Sequence, residues 1–543
     1  MMAGTVLVCT LVACNKEQEV KEETNPENEV ELVTEVIRAS WDEGETKGNI
    51  AEVGGAFTWS EGDKIAVHTN NDGGTWYYSQ ALVAGDEGQT SANFTTTFAG
   101  TRDAVAVFPN SLVTAGAADL SSGLTVTLPS SYPLADVIGD KAPTPMVAVN
   151  TGETLAFKHL CGLLRLTING IPTEATKLTV DFLGRKVYGD FTIAAGDLEP
   201  GEDGCIISTT SLSANDVITI TDLDGSASVT VNIPLPAGTY DDVVITPYNG
   251  DDALKLMAVR HIKGGSYTAS RAHRRKLTAT LVSFSVSDTK KIVFAPGNLQ
   301  AVFASAGSTC IWKFADNQFD TVGAGVANTS IDGPGSVSAA GTVDLFGWVG
   351  ASGTNESYGI LLDNGGEAYG VVTAGKYSSE ALKHDWGELS IGSYASNTWR
   401  TLSANEGNTE EWNYLIVSRG GDMFAQASVN AKYGVIIFPD NYVHPTGPSS
   451  PNNVNTPVAW DKADLSVYTA GEWQVLEGAG CVFLPCTGYR VGTTVYYPDN
   501  YATYWSTTSG NRVVCFYFNN GYVQATNWQT RANASPVRLA RDL

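Results

Sequence analysis

Basic residues are scarce in this chain. Its 543 residues carry 33 Lys and Arg against 58 Asp and Glu, a formal net charge of −25. A phosphate backbone is held by clustered Lys and Arg, so nucleic acid is excluded as a general partner, and broad attraction to anionic lipid with it. Histidine is scarcer still. The six residues (His68, His159, His261, His273, His384, His444) form no His-Glu-x-x-His and no short-range pair, which removes the usual zinc-hydrolase pattern. There is no Gly-x-Ser-x-Gly, hence no nucleophile elbow. Gly323-Ala324-Gly325 begins like a dinucleotide loop but lacks the third glycine and a following helix. Nothing singles out a carboxylate pair for glycoside hydrolysis. These absences predict no enzyme, no cofactor and no required metal. None of the eight cysteines shows Cys-x-x-Cys spacing. Cys161 reads as a buried thiol, and Cys481 and Cys486 read either as a bridge or as two free thiols.

Long 3.6-residue periodicity is also missing. Short alternating runs separated by Gly, Asn, Asp and Pro recur instead, with 56 glycines in all, and this predicts β-rich domains. The chain is too long for one core. At the N-terminus, Val6–Ala13 is apolar but too short to span a bilayer. Leu11-Val12-Ala13-Cys14 has the form of a lipobox, which would make Cys14 the lipidated first residue of the mature protein. The basic residues usual before such a run are missing, which points to a truncated start. Residues 15–30 are acidic, without apolar periodicity, and read as a tether. The basic run Arg271–Lys276 reads as solvated charge at a domain end, with a binding patch as the alternative.

The last fifty residues are the most distinctive. Between Tyr496 and Trp528 lie ten aromatic residues in 33 positions, interleaved with Asn. Tyr with Asn, Ser and Gly is the composition of adaptable binding surfaces, where rigid rings supply area and small polar groups supply hydrogen bonds. Val513–Asn519 and Tyr522–Thr526 flank Asn520-Gly521, a strong two-residue turn signal. That turn pairs Asn519 with Tyr522, Phe518 with Val523, Tyr517 with Gln524, Phe516 with Ala525 and Cys515 with Thr526. Opposed residues share a face. Phe516, Phe518, Val523 and Ala525 then face a core. Cys515, Tyr517, Asn519, Tyr522, Gln524 and Thr526 form the exposed side, either a recognition surface or an ordinary solvated face. The expected ligand-binding residues are Tyr497, Asn500, Tyr501, Tyr517, Asn519, Tyr522, Gln524, Thr526, Asn527 and Trp528. Trp505 and Phe516 read as core.

Two resemblances add to this. Val36–Ser40, Phe57–Val67 and Phe157–Leu160, with the Cys14 lipobox and the later Leu-Pro-Ala-Gly-Thr-Tyr segment, are similar to the fimbrillin family of Bacteroidetes type V pili. The likeness covers roughly residues 30–282 and implies two tandem β-sandwich domains, 31–145 and 146–282. It also implies lipoprotein export, trimming of an N-terminal strand near Arg38 or Lys47, and assembly with pilin subunits by strand donation. Residues 283–543 resemble the C-type-lectin-fold modules of Bacteroidetes surface proteins, through Phe-Leu-Pro-x-x-Gly-Tyr-Arg, Tyr-Trp-Ser-Thr-Thr and Ser-x-Val-Arg-Leu. Some members are variable proteins of diversity-generating retroelements. The implied fold is mainly β in the N-terminal half and α+β in the C-terminal domain. The Glu-Pro-Asn type of calcium triplet is missing, and Pro439-Asp440-Asn441 and Pro498-Asp499-Asn500 read as turns before calcium ligands.

The expected function is a pilus-tip adhesin at the cell surface, anchored to the outer membrane, binding a protein or glycan. A chain ending in a folded module rather than a donor strand would cap the polymer. The alternative is a monomeric surface lipoprotein that captures glycan for nutrient uptake.

Overall fold

The computed structural model describes residues 32–41, 58–70, 73–139, 145–150, 152–198, 207–208, 216–262, 267–269, 274–333, 336–348, 385–405, 407, 409–507, 513–529 and 533–543. Cys14 and Lys47 lie outside the described residues. The fold is mostly β, as the short alternating runs require: Leu124–Leu128 and Val217–Thr221 bury every second residue, the mark of a half-buried strand.

An eight-stranded sheet runs, edge to edge, through Ser91–Ala99, Leu32–Trp41, Thr154–His159, Met146–Val149, Arg102–Phe108, Ala66–Thr69, Thr75–Tyr78 and Gly116–Ala117. One of its faces packs around Trp59, whose ring meets Phe94, Phe108 and Phe157 edge-on at 4.9, 5.1 and 6.0 Å. The other packs on the small sheet containing Leu124–Leu128 and Gly189–Ile193. The Leu32–Trp41 strand is an insertion within this sheet. It runs antiparallel to Ser91–Ala99 from Leu32↔Ala99 to Ser40↔Ser91, and parallel to Thr154–His159 from Arg38↔Thr154 to Trp41↔Phe157. Ile37 and Ala39 are buried, whereas Leu32, Val33 and Val36 are exposed. Arg38 sits mid-strand on the exposed side, donating to Ser91 Oγ at 3.1 Å.

The second unit faces the sheet Ser228–Leu235, Gly162–Asn169, Arg274–Thr280 against a sheet containing Asp242–Asn249, Lys177–Asp181, Val217–Thr221 and Ser131–Pro133. The sheets do not divide at residue 145/146. Met146–Val149 and Thr154–His159 belong to the first sheet, and Ser131–Pro133 to the second unit. The apolar run 155–168 holds two strands, Thr154–His159 and Gly162–Asn169. Leu160 and Cys161 carry the chain from one sheet to the other while staying buried, so hydrophobicity gives no sign of the break. Pro234 and Leu235 end a strand, and Gly238–Tyr240 forms another.

The third unit is closed by its own ends. Lys291–Phe294 pairs with Leu539–Asp542, which also pairs with Arg400–Thr401. A four-stranded sheet (Ser466–Tyr468, Phe424–Val429, Lys432–Ile437, Val482–Pro485) and a three-stranded one (Tyr501–Tyr504, Val513–Asn519, Tyr522–Gln529) follow. Its helix Ala470–Gly478 starts from a capping box in which Thr469 and Glu472 satisfy each other's backbone N–H groups. Cys161, Cys310, Cys481, Cys486 and Cys515 are free thiols.

The second and third units share a core: Val244 and Met257 pack with Val293, Phe314 and Trp399. Arg260 meets Glu477 at 3.2 Å, and Thr280 Oγ1 donates to the Gly478 carbonyl at 2.7 Å. His261 Nε2 donates to the Ala315 carbonyl at 3.0 Å, while Nδ1 meets the Asp242 carboxylate. Both partners are acceptors, so the ring must carry both protons. Burial alone would lower its pKa. Asp242, Glu477 and the Ala315 carbonyl outweigh burial and raise it above the ordinary 6.5, and Tyr394 lies beside the same Asp242 carboxylate. A raised folded pKa gives stability that is complete below pH 6.5 and lost as pH rises through the folded value. His68, between Asp103 and the Ala118 carbonyl, contributes with the same sign. Urea denaturation is therefore expected to show lower stability at pH 8.5 than at pH 6, with a smaller difference in His261→Gln. An unchanged difference would show that His261 does not carry the effect.

Candidate ligand-binding surface

The three-stranded sheet builds the site. Its central strand, Val513–Asn519, pairs with Tyr501–Tyr504 through Tyr501↔Asn519, Ala502↔Phe518, Thr503↔Tyr517 and Tyr504↔Phe516. On the other side Asn519↔Tyr522, Phe518↔Val523 and Tyr517↔Gln524 match the pairing predicted from Asn520-Gly521. Beyond them the register slips. Cys515 opposes Asn527, not Thr526, and both Ala525 and Thr526 span the space opposite Phe516. A bulge of this kind leaves one extra residue outside the ladder.

One face is core. Ala502, Tyr504, Phe516, Phe518 and Ala525 are buried together, with Trp412 stacked on Phe516 at 4.8 Å. The opposite face sets Tyr501, Asn519 and Tyr522 in one row and Thr503, Tyr517 and Gln524 in the next. Cys515 was expected on the exposed side but is fully buried. The extra strand flanking Val513–Asn519 encloses the sheet's centre, which a two-stranded reading does not include.

Five tyrosine rings form a continuous patch here. Tyr501 meets Tyr517 edge-on at 5.1 Å and Tyr489 at 5.2 Å. Tyr489 stacks on Tyr496 at 5.5 Å, and Tyr497 lies 6.2 Å from Tyr489 and 6.3 Å from Tyr501. Tyr489 and Tyr496 were not among the expected site residues. They pair across the hairpin of Tyr489–Val491 and Thr494–Tyr496; the Gly492-Thr493 turn between two short runs was the available signal. Burial raises the phenol pKa of Tyr501, to about 12, and also those of Tyr489 and Tyr517. The rings stay neutral at any physiological pH and act as hydroxyl donors. Tyr497 is 59 % exposed, Tyr522 60 % and Trp528 49 %. Gln524 is exposed, whereas Thr526 and Asn527 are half-buried.

Much of the amide capacity is spent within the protein. Asn500 Oδ1 accepts from Trp460 Nε1 at 3.0 Å, and Asn520 Oδ1 from the Trp460 backbone N–H at 2.7 Å. Trp460 itself stacks on Tyr433 at 4.9 Å. Asn519 Nδ2 donates to Tyr517 Oη, and Asn527 Nδ2 to Gln524 Oε1 at 3.2 Å. Asn500 and Asn520 therefore clamp the surface to the Trp460 loop. Lys432 neutralises Asp499 at 2.7 Å, in keeping with Pro498-Asp499-Asn500 as a turn. Among the described residues no group of three or more His, Cys, Asp or Glu could hold a metal.

Gly488 positions the patch. Its φ is +74°, its N–H donates to the Tyr501 carbonyl at 2.7 Å, and a Cβ there would lie 2.4 Å from the Tyr496 carbonyl oxygen. Gly488→Ala is expected to displace the Tyr496–Pro498 turn at a cost of roughly 2 kcal/mol. Thermal denaturation and the near-UV tyrosine signal would register this; wild-type behaviour in both would contradict it.

No family model and no curated protein matches the chain. Among solved structures it is similar to a candidate cell adhesion protein of Bacteroides ovatus, at 14 % identity over 45 % of this chain and 91 % of that one, with a TM-score of 0.28. It is also similar to the tip fimbrial protein Mfa3 of Porphyromonas gingivalis, at 11 % identity over 43 % of this chain and 82 % of that one, TM-score 0.20. The fimbrial anchor protein Mfa2 of the same organism matches at 8 % identity over 42 % and 77 %, TM-score 0.18. TM-scores of this size establish neither a common fold nor a common function.

Proposed function

We propose that this protein is a fimbrial adhesin whose third unit presents the tyrosine surface to a protein or glycan. The observation that carries this reading is the pairing of opposites on one small sheet. Phe516 and Phe518 are wholly buried on one face, and the linked rings of Tyr489, Tyr496, Tyr497, Tyr501 and Tyr517 lie on the other side. A core does not need a run of phenols that reaches from half-buried Tyr489, Tyr501 and Tyr517 out to exposed Tyr496 and Tyr497, whereas recognition uses such rings, with area supplied by the ring and specificity by the hydroxyl.

The first unit supports assembly with other subunits. Leu32–Trp41 fills a slot between two strands, and its removal would leave two rows of backbone groups that demand a replacement strand. A cut after Lys47 follows this strand in sequence and would release it whole; a cut after Arg38 would divide it. In this reading Cys14 carries the lipid that brings the chain to the cell surface before trimming. Full-length protein probed against a printed panel of glycans and purified cell-surface proteins is expected to retain particular members of the panel. Retention of none would remove the adhesive reading.

A further inference from the structure

We propose that the cleft between the second and third units binds an anionic glycan, a saccharide chain bearing carboxylate or sulfate groups. The proposal is independent of the tyrosine surface. The cleft measures about 1010 Å³, the scale of a ligand site rather than a packing defect. In a chain of net charge −25, five Lys and Arg side chains line it against four Asp and Glu.

The local excess of positive charge is larger than those counts suggest. Glu477 is held by Arg260 at 3.2 Å. Asp440 is held by Arg419 at 3.2 Å and Lys291 at 3.6 Å, and Asp316 by Lys313 at 2.7 Å. Arg419 and Lys313 stand outside the cleft lining, so two of its acids are answered from behind. That leaves Lys255, Arg275 and Lys276 facing Glu174. Lys255 and Lys276 are exposed and touch no carboxylate among the described residues. Arg275 spends only its Nε, on the Ile262 carbonyl at 3.1 Å. At physiological ionic strength charges beyond about 8 Å are screened, so the distant acidic surface does not cancel this local field, and a cleft concentrates it.

The rim argues for a saccharide. Val443 is 79 % exposed, and with Val475 it lines the cleft as open apolar surface beside half-buried Tyr442. Thr278, Gln474 and Asn441 add neutral hydrogen-bonding groups on both walls. Sugar rings offer C–H faces to the first set and hydroxyls to the second, while their acid groups meet the ammonium ions.

The test is calorimetric titration of the full chain with four probes: sulfated dextran, oligogalacturonate, neutral dextran and polyglutamate. Binding of at least one charged glycan is expected, with neutral dextran and polyglutamate at least tenfold weaker. The Lys255→Gln/Lys276→Gln variant should lose affinity at least tenfold with an unchanged melting temperature, since both side chains are exposed; Lys276→Glu alone serves if the double variant melts early. Binding by neither charged glycan, equal binding of neutral dextran or polyglutamate, or full affinity in the lysine variants would overturn the proposal.

Discussion

Replacing Arg538 by alanine is expected to destabilise the third unit by roughly 3–5 kcal/mol, the scale for removing one member of a buried charged network. Arg538 has no exposed surface. Its Nη2 donates to Gln318 Oε1 at 3.0 Å and its Nη1 to Asn298 Oδ1 at 3.4 Å. Gln318 Oε1 also accepts from the Phe483 N–H at 2.7 Å, and Gln318 Nε2 donates to Glu477 at 3.0 Å, which in turn holds Arg260. Asn298 donates to Tyr504 Oη at 2.9 Å. One guanidinium thus ties the closing strand to the interior and, through Glu477, to the second unit. Burial pushes its pKa down to about 10, so the charge is costly to hold and is kept for what it organises. Lysine should not rescue, because one ammonium cannot reproduce the planar fork that reaches both amides. Urea denaturation followed by tryptophan fluorescence measures this. A loss under about 1 kcal/mol would mean that the network tolerates the vacancy.

The role of Arg538 was present in the sequence only as a letter in Ser-x-Val-Arg-Leu. Arginine is rarely buried, so no single-sequence pattern marks the residue that is. Arg490 is parallel: it is buried, donating to the Gly492 and Leu345 carbonyls at 2.7 and 3.2 Å. The terminal hairpin was legible because Asn520-Gly521 fixes the pairs next to it. The slip at Cys515 was not, since a bulge depends on the third strand and on packing behind it. Alternation is plain in the sequence of Lys177–Asp181 and Val217–Thr221, and both are strands. It gave no hint that Leu32–Trp41 lies beside Thr154–His159, because sheet order is set by contacts far apart in the chain. The tyrosine patch was half visible. Tyr497, Tyr501 and Tyr517 stood out by local density, whereas Tyr489 joins them from another hairpin.

The second large effect is on binding. Tyr497 and Tyr522 are exposed, and among the described residues neither ring makes a side-chain hydrogen bond or joins a core cluster. Aromatic side chains central to an interface typically contribute about 2 kcal/mol or more each, so removing both is expected to weaken ligand retention by roughly two to three orders of magnitude. Stability should change by less than about 0.5 kcal/mol, as for surface substitutions generally. Phe518→Ala, one residue from the exposed row, should do the reverse in kind. It removes a buried ring stacked 5.9 Å from Tyr504 and should cost roughly 3–5 kcal/mol of folding stability.

The most direct measurement compares wild type with Tyr497→Ala/Tyr522→Ala on the same panel of glycans and surface proteins, with melting temperatures taken on the same samples. The double variant is predicted to melt with the wild type and to release the proteins and neutral glycans of the panel that the wild type holds. Undiminished retention of those members, or early melting of the double variant, would contradict a tyrosine surface built for adhesion.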